Sequence, residues 1–238
     1  MIDIVEYIKN NDLEKAKQCI EKDNSLVDTR DEESRFTLLM ICAKKGYFEM
    51  TKLLVENGAN LNSRSKTGLT ALMFACAEKQ IEIAKYLIDC GADVNLRDRP
   101  MFSALLYGSL TKEHSIINYL IENGADVNAK CSVYKYTDGY TALMYASIRG
   151  YYEIVEILLD NKADINATTD LGRTALIETL VGFIYDLPKN GLYETVKILI
   201  DRGADIKIKD EDGKTALDYA KEKELKDIEE LLINSLSN

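Results

Sequence analysis

Between Thr70 and Asp98 the apolar residues fall into two blocks with helical rhythm. In the first, ALMFACAEK, Leu72, Ala75 and Cys76 share one face. In the second, IEIAKYLIDC, Ile83, Ala84, Leu87 and Ile88 form an apolar stripe. Two short helices in succession are predicted. Thr70 stands where the first begins, and its hydroxyl can satisfy an orphan backbone N–H of the first turn. The small side chains of that helix let a neighbouring helix approach closely. Gly91 stands where the second helix ends, in the left-handed conformation that terminates many helices. ADVNLRD then leaves as an extended segment that turns into the next part of the chain.

This arrangement recurs. ENGADVNAK at residues 122–130 has near copies in ENGANLNSR, DCGADVNLR, DNKADINAT and DRGADIKIK, and the alanine of the phrase falls at 59, 92, 125, 163 and 204. A second phrase of the TALMFAC kind begins at Thr37, Thr70, Ser103, Thr141, Thr174 and Thr215. Two phrases in step mean one structural repeat of 33 residues. It is enlarged by five residues near 131–135 and by eight near 183–190. Two short helices cannot bury two apolar faces alone, whereas stacked copies bury them against each other, which makes a solenoid. Each helix pair must then leave in the same direction, and the recurring phrase is that exit.

These residues resemble the ankyrin repeat, whose period is 33 and whose pattern runs T-P-L-H-x-A with a GADVN-like exit. The resemblance implies an all-α solenoid of about seven helix-turn-helix repeats with short hairpin-like turns, in a single domain over 1–238. Its parts are an N-terminal capping repeat at 1–31, full repeats at 32–64, 65–97, 98–135, 136–168 and 169–209, and a C-terminal capping repeat at 210–238. The family's proline is replaced by Leu38, Ala71, Ala104, Ala142, Ala175 and Ala216, which keeps a helix former in place. The family's histidine is replaced by Met40, Met73, Leu106, Met144, Ile177 and Asp218, so apolar packing is expected where a polar network would stand. Lys162 takes the place of the helix-ending glycine. A left-handed lysine there costs about 1 kcal/mol and makes the fifth repeat locally weaker.

Charge and chemistry narrow the function. Thirty basic against forty acidic residues give a formal charge of −10, which argues against a nucleic-acid partner. No apolar run reaches the roughly 18 residues of a membrane helix, so no membrane partner is expected. The N-terminal MIDIVEYIKNND lacks the pattern of a signal peptide, so a cytoplasmic location is expected, with export as an effector left open. The five cysteines are odd in number and include no CxxC pair, which suggests neither a disulfide framework nor zinc. Cys42 and Cys76 are expected to be buried and inert, and Cys90 and Cys131 exposed. His114, the single histidine, reads as an ordinary helix-surface or turn residue. There is no phosphate-binding loop, nucleophile elbow or metal-ligand cluster, and most acidic residues recur in register with the repeat. No catalytic, cofactor or metal residue is assigned, and the chain is not expected to be an enzyme.

Binding remains. The resemblance implies a concave groove lined by first helices and turns. The residue before each capping Thr or Ser should lie there: Phe36, Leu69, Phe102, Tyr140, Arg173 and Lys214. Seven residues after the cap come Lys44, Ala77, Leu110, Ile148 and Val181. The first four residues of the first row are apolar or aromatic, as partner surfaces favour. Arg35, Lys44, Lys45, Arg64, Lys66, Arg97 and Arg99 gather basic charge along the turns. A peptide with apolar side chains and some acidic residues complements that surface. The candidate contact residues are Phe36, Lys44, Lys45, Leu69, Arg99, Phe102, Leu110, Tyr134, Tyr140, Ile148, Arg149 and Arg173, Tyr134 belonging to the first insertion. The expected role is a monomeric protein–protein interaction module that binds a partner protein or peptide. The alternatives are a regulatory or inhibitory subunit of an enzyme, or an exported effector acting on a host protein.

Overall fold

The paired apolar blocks fold as paired helices. The computed structural model describes residues 4–132, 138–182 and 189–236. Among these the first pair is α1 (Ile4–Lys9) with α2 (Leu13–Lys22), followed by a 3-10 turn at Asn24–Asp28. Next come α3 (Leu38–Lys45) with α4 (Phe48–Glu56), α5 (Ala71–Ala77) with α6 (Ile81–Asp89), and α7 (Ala104–Ser109) with α8 (His114–Glu122). A short antiparallel hairpin, β1 (Cys131–Ser132) with β2 (Asp138–Tyr140), precedes α9 (Ala142–Ile148) and α10 (Tyr152–Asp160). The last pairs are α11 (Ala175–Val181) with α12 (Lys189–Asp201) and α13 (Ala216–Glu222) with α14 (Lys226–Leu236). The chain forms two compact halves, residues 1–125 and 126–238. Within the first half α3, α5 and α7 pack in sequence, as do α2, α4, α6 and α8. Within the second, α9, α11 and α13 pack in sequence beside α10, α12 and α14.

Local chemistry places every start. Thr37, Thr70, Ser103, Thr141, Thr174 and Thr215 each accept, through the side-chain oxygen, the N–H three residues on, at 3.3 Å in every case. The helices they open are largely buried, α5 most completely: Ala71 to Cys76 has no exposed member, whereas α13 exposes Asp218, Lys221 and Glu222. Periodicity had indicated one buried face. A helix sandwiched between two neighbouring first helices and its own second helix has no side left facing solvent, so small residues and methionine fill it. Met40, Met73, Leu106, Met144 and Ile177 are all fully buried, and apolar packing does replace the family's polar network. Asp218 is the exception, an exposed residue that accepts from both the N–H and the hydroxyl of Thr215.

The repeated exit phrase also has a physical explanation. Its Asp accepts the N–H two residues on: Asp93 from Asn95 at 2.9 Å, Asp126 from Asn128 at 3.0 Å, Asp164 from Asn166 at 3.0 Å. Its Asn then accepts the backbone N–H of the next repeat's Asp. These bonds join Asn62 to Asp93 (2.9 Å), Asn128 to Asp164 (2.8 Å) and Asn166 to Asp205 (2.9 Å). The same Asn side chain donates forward to the end of the next second helix, Asn95 to the Gly124 carbonyl at 2.8 Å and Asn128 to the Lys162 carbonyl at 3.2 Å. Asp and Asn thus fix both the turn and its distance to the following turn. In the last copy the Asn is Lys207, which cannot accept.

Gly58, Gly91, Gly124 and Gly203 follow their helices with φ between +85° and +93°, and Lys162 sits at +66° in the equivalent place. Only glycine occupies that region without steric cost. Lys162→Gly is therefore expected to stabilise the second half by about 1 kcal/mol, read as a higher urea midpoint. An unchanged or lower midpoint would show that the lysine is not strained.

Candidate functional site

Two rows of side chains run beside the first helices: the residue before each cap and the residue four after it. In the first half these are Phe36, Leu69 and Phe102, and Ile41, Phe74 and Tyr107. Phe36, Leu69 and Phe102 are half-buried because the second row packs against them. The Phe36 and Phe74 rings meet at 4.9 Å between centroids. The exposed Lys44 ammonium lies 6.0 Å from one ring and 5.7 Å from the other, within cation–π reach. Phe102 meets Tyr107 edge-on at 5.4 Å. The Tyr107 hydroxyl donates to Asp98 at 2.6 Å, and Asp98 also accepts the Phe102 N–H at 2.8 Å. Burial, reinforced by the Asp98 carboxylate, pushes the Tyr107 phenol up.

A buried polar residue braces each of these turns by accepting a backbone N–H, which satisfies a donor that water cannot reach. Ser65 accepts from Leu69 at 3.0 Å, and Asp31 accepts the Ser34 N–H at 2.7 Å and the Lys9 ammonium at 2.6 Å. The Lys9 contact, with help from Ser34, lowers the Asp31 carboxyl from 3.8 to about 2. A depressed carboxyl stabilises the fold fully above its unfolded value and loses that contribution as pH falls through the folded value. The urea midpoint is thus expected to fall between about pH 4 and about pH 2, and Asp31→Asn to flatten that part of the curve. Parallel curves for the two proteins would contradict the assignment.

In the second half the two rows are Tyr140, Arg173 and Lys214, and Tyr145, Glu178 and Tyr219. Tyr140 meets Tyr145 at 5.3 Å. Arg173 is the centre of a charged network. Its Nε donates to Asp210 at 3.3 Å, its Nη2 to the Tyr219 hydroxyl at 3.4 Å, and its Nη1 stands 4.0 Å from Glu178. Asp210 also accepts the Tyr219 hydroxyl at 2.5 Å and the Lys214 N–H at 3.0 Å. Burial pushes the Asp210 carboxyl up, but Tyr219, Lys214 and Arg173 outweigh it and the net shift is downward. Glu178 is buried, its Oε1 has no hydrogen-bond partner, and its pKa is raised by burial against the pull of Tyr140 and Arg173. Burial and Asp210 push Tyr219 up to about 12.

The candidate contact residues fall as follows. Lys44, Lys45, Arg99 and Arg149 are exposed, and Leu110, Ile148, Tyr140 and Arg173 are half-buried. Arg173 is held by its acidic neighbours, so it is a structural element of the row as much as a contact. Tyr134 lies outside the described residues, as do most of the two insertions. Cys131 is a correction: it is buried, because β1 pairs it with Tyr140 and sets its thiol 3.8 Å from the Tyr145 hydroxyl. Cys42 and Cys76 are buried as expected, and burial pushes Cys76 up to about 12. Sequence reasoning missed the second row, Phe74, Tyr107, Tyr145, Glu178 and Tyr219. The signal was available: four aromatics recur at one repeat position. Among the described residues no cluster of His, Cys, Asp and Glu could hold a metal ion, and no helix is long and apolar enough to cross a membrane. The buried Nε2 of His114 has no hydrogen-bond partner among the described residues, and it belongs to no group of three or more metal-ligating side chains there.

A family model described as ankyrin repeats (3 copies) matches residues 4–98 and 105–181, well over half of the chain. A curated relative, the acyl-CoA-binding domain-containing protein 6 homolog of Dictyostelium discoideum, is 41% identical over 59 residues. That stretch is 25% of this chain and 20% of the relative, so the chain spans about a fifth of the length of the protein it matches.

Proposed function

This chain belongs to the ankyrin-repeat family, whose members are generally protein–protein interaction modules and typically not enzymes, and on that premise we propose that it binds a partner protein through the turn-and-first-helix face of its repeats. The observation that carries the reading is the double row of aromatic and cationic side chains on that face, including Phe36, Phe74 and Lys44 in the first half and Tyr140 and Tyr145 in the second. Aromatic anchors held rigid by their neighbours lose little entropy on binding, and such residues dominate interface energetics. The second helices carry Glu49, Glu82, Glu122 and Glu156 on exposed positions, the charged outer surface a solvated face requires. The test is a Phe36/Phe102/Tyr140→Ala triple variant, checked for retained helix content and compared with the parent in affinity capture. Loss of a retained partner by about tenfold or more is expected. Equal retention would overturn the reading.

A further inference from the structure

One position at the turn tips departs from the repeat in a way that costs stability. The residue two before each cap is Arg35, Gly68, Met101, Gly139, Gly172 or Gly213, and all six have positive φ. Glycine is required where the next turn approaches: a Cβ on Gly68 would come within 2.9 Å of the Asp98 Cα, and one on Gly172 within 3.2 Å of the Asp210 Cα. Arg35 at φ +60° and Met101 at φ +64° occupy the same strained region yet keep long side chains. Met101 is 41% exposed, and Arg35, next to Phe36 in the chain, is exposed. Asn11, Lys79, Lys162 and Glu224 also have positive φ, so strain by itself assigns no use; at Arg35 and Met101 it coincides with exposed side chains on the turn tips.

Charge supplies the use. Arg35, Lys44, Lys45, Lys66 and Arg99 are all exposed, and among the described residues none of these five is in an ion pair. Glu32 and Glu33 near Arg35 in sequence, and Glu49 near Lys45, are exposed, yet none of them forms an ion pair with these five cations, which stand out on a chain of net charge −10. In the second half two cations of the first row are neutralised, Arg173 by Asp210 and Lys214 by Glu222, while Arg149, at the position of Lys45, is exposed. The tips are also tied into one rigid edge. Arg30 donates to the Arg64 carbonyl at 3.1 Å, Arg64 donates to the Arg97 carbonyl, and the Arg99 N–H donates to the Thr67 carbonyl at 2.8 Å. A preorganised edge with unpaired cations and an exposed thioether is complementary to a segment that brings carboxylates and one apolar side chain.

We infer that the turn tips of the first half dock an acidic peptide segment with an apolar anchor, and that Arg35 and Met101 are contact residues retained there against their backbone strain. This rests on the protein-binding reading above and narrows its partner. The anchor packs on Met101 and Phe102, and the carboxylates meet Arg35, Lys44 and Arg99.

The test uses the full chain and an array of short synthetic peptides in which Asp and Glu are exchanged for Asn, Gln or Lys, and a single Leu or Phe for Ala. Acidic peptides with an apolar residue are expected to be retained, less so as salt rises. Arg35→Gly and Met101→Gly are each expected to weaken that retention about fivefold or more. Relief of strain should leave their melting temperatures unchanged or about 2–4 °C higher, which excludes misfolding as the cause. Equal retention of neutral, basic and acidic peptides would overturn the inference, as would glycine variants that bind like the parent. If the glycine variants bind normally while the Phe36/Phe102/Tyr140→Ala variant loses its captured partner, the inference falls and the protein-binding reading stands. If neither set of variants loses anything, both fall.

Discussion

Asp210→Ala is expected to lower stability by about 3–5 kcal/mol, the largest loss of any single polar substitution considered. Asp210 is buried and gathers the Tyr219 hydroxyl, the Arg173 guanidinium and the Lys214 N–H onto one carboxylate. Removing it leaves Arg173, half-buried, with Glu178 at 4.0 Å and the exposed Asp212 at 3.9 Å as its remaining carboxylates. It also strips the turn of the acceptor that sets its geometry. The cost is that of leaving donors and a cation uncompensated, which exceeds the net worth of the bonds themselves. Asp210→Asn keeps an acceptor and is expected to lose less. Urea unfolding followed by circular dichroism gives the difference directly. A loss for Asp210→Ala below about 1 kcal/mol would mean that solvent already reaches the network.

Asn128→Ala is the second large effect, at about 1–3 kcal/mol for two inter-repeat hydrogen bonds. Its Oδ1 accepts the Asp164 N–H and its Nδ2 donates to the Lys162 carbonyl, so the change cuts both links between successive exits. Lys162 is already strained, so the bond at its carbonyl holds the weakest helix end in place. Hydrogen exchange localises the effect: the Asp164 amide should lose protection first. Loss spread evenly over the chain would contradict a local link.

Much of this fold is legible because its determinants are local. Thr70 and its equivalents announce helix starts within three residues, Gly91 and its equivalents announce ends, and the register of the two phrases gives the repeat. The pairs α1–α2 and α13–α14 are legible as helix pairs from their apolar spacing. Burial of Cys131 was not legible, because it depends on strand pairing across an insertion that breaks the repeat register. The Arg173 network was not legible either. Arg173 sits in a row that reads as surface, and its partners Asp210 and Tyr219 lie 37 and 46 residues further on. The full burial of α5 was hidden by periodicity, which detects one apolar face and cannot see that a neighbour covers the other. The strain at Met101 was invisible because Met is an ordinary residue in sequence, and only its φ sets it apart.

Site-specific photocrosslinking locates the face that meets the partner. A photoreactive residue placed at Leu69, Phe102 or Arg149 samples the turn-and-first-helix face, and one at Glu82 or Glu156 samples the outer side of the second helices. Partner adducts are expected from the first set and none from the second. Adducts from Glu82 or Glu156, with none from Leu69, Phe102 or Arg149, would contradict this expectation and place the working surface on the opposite side of the repeats.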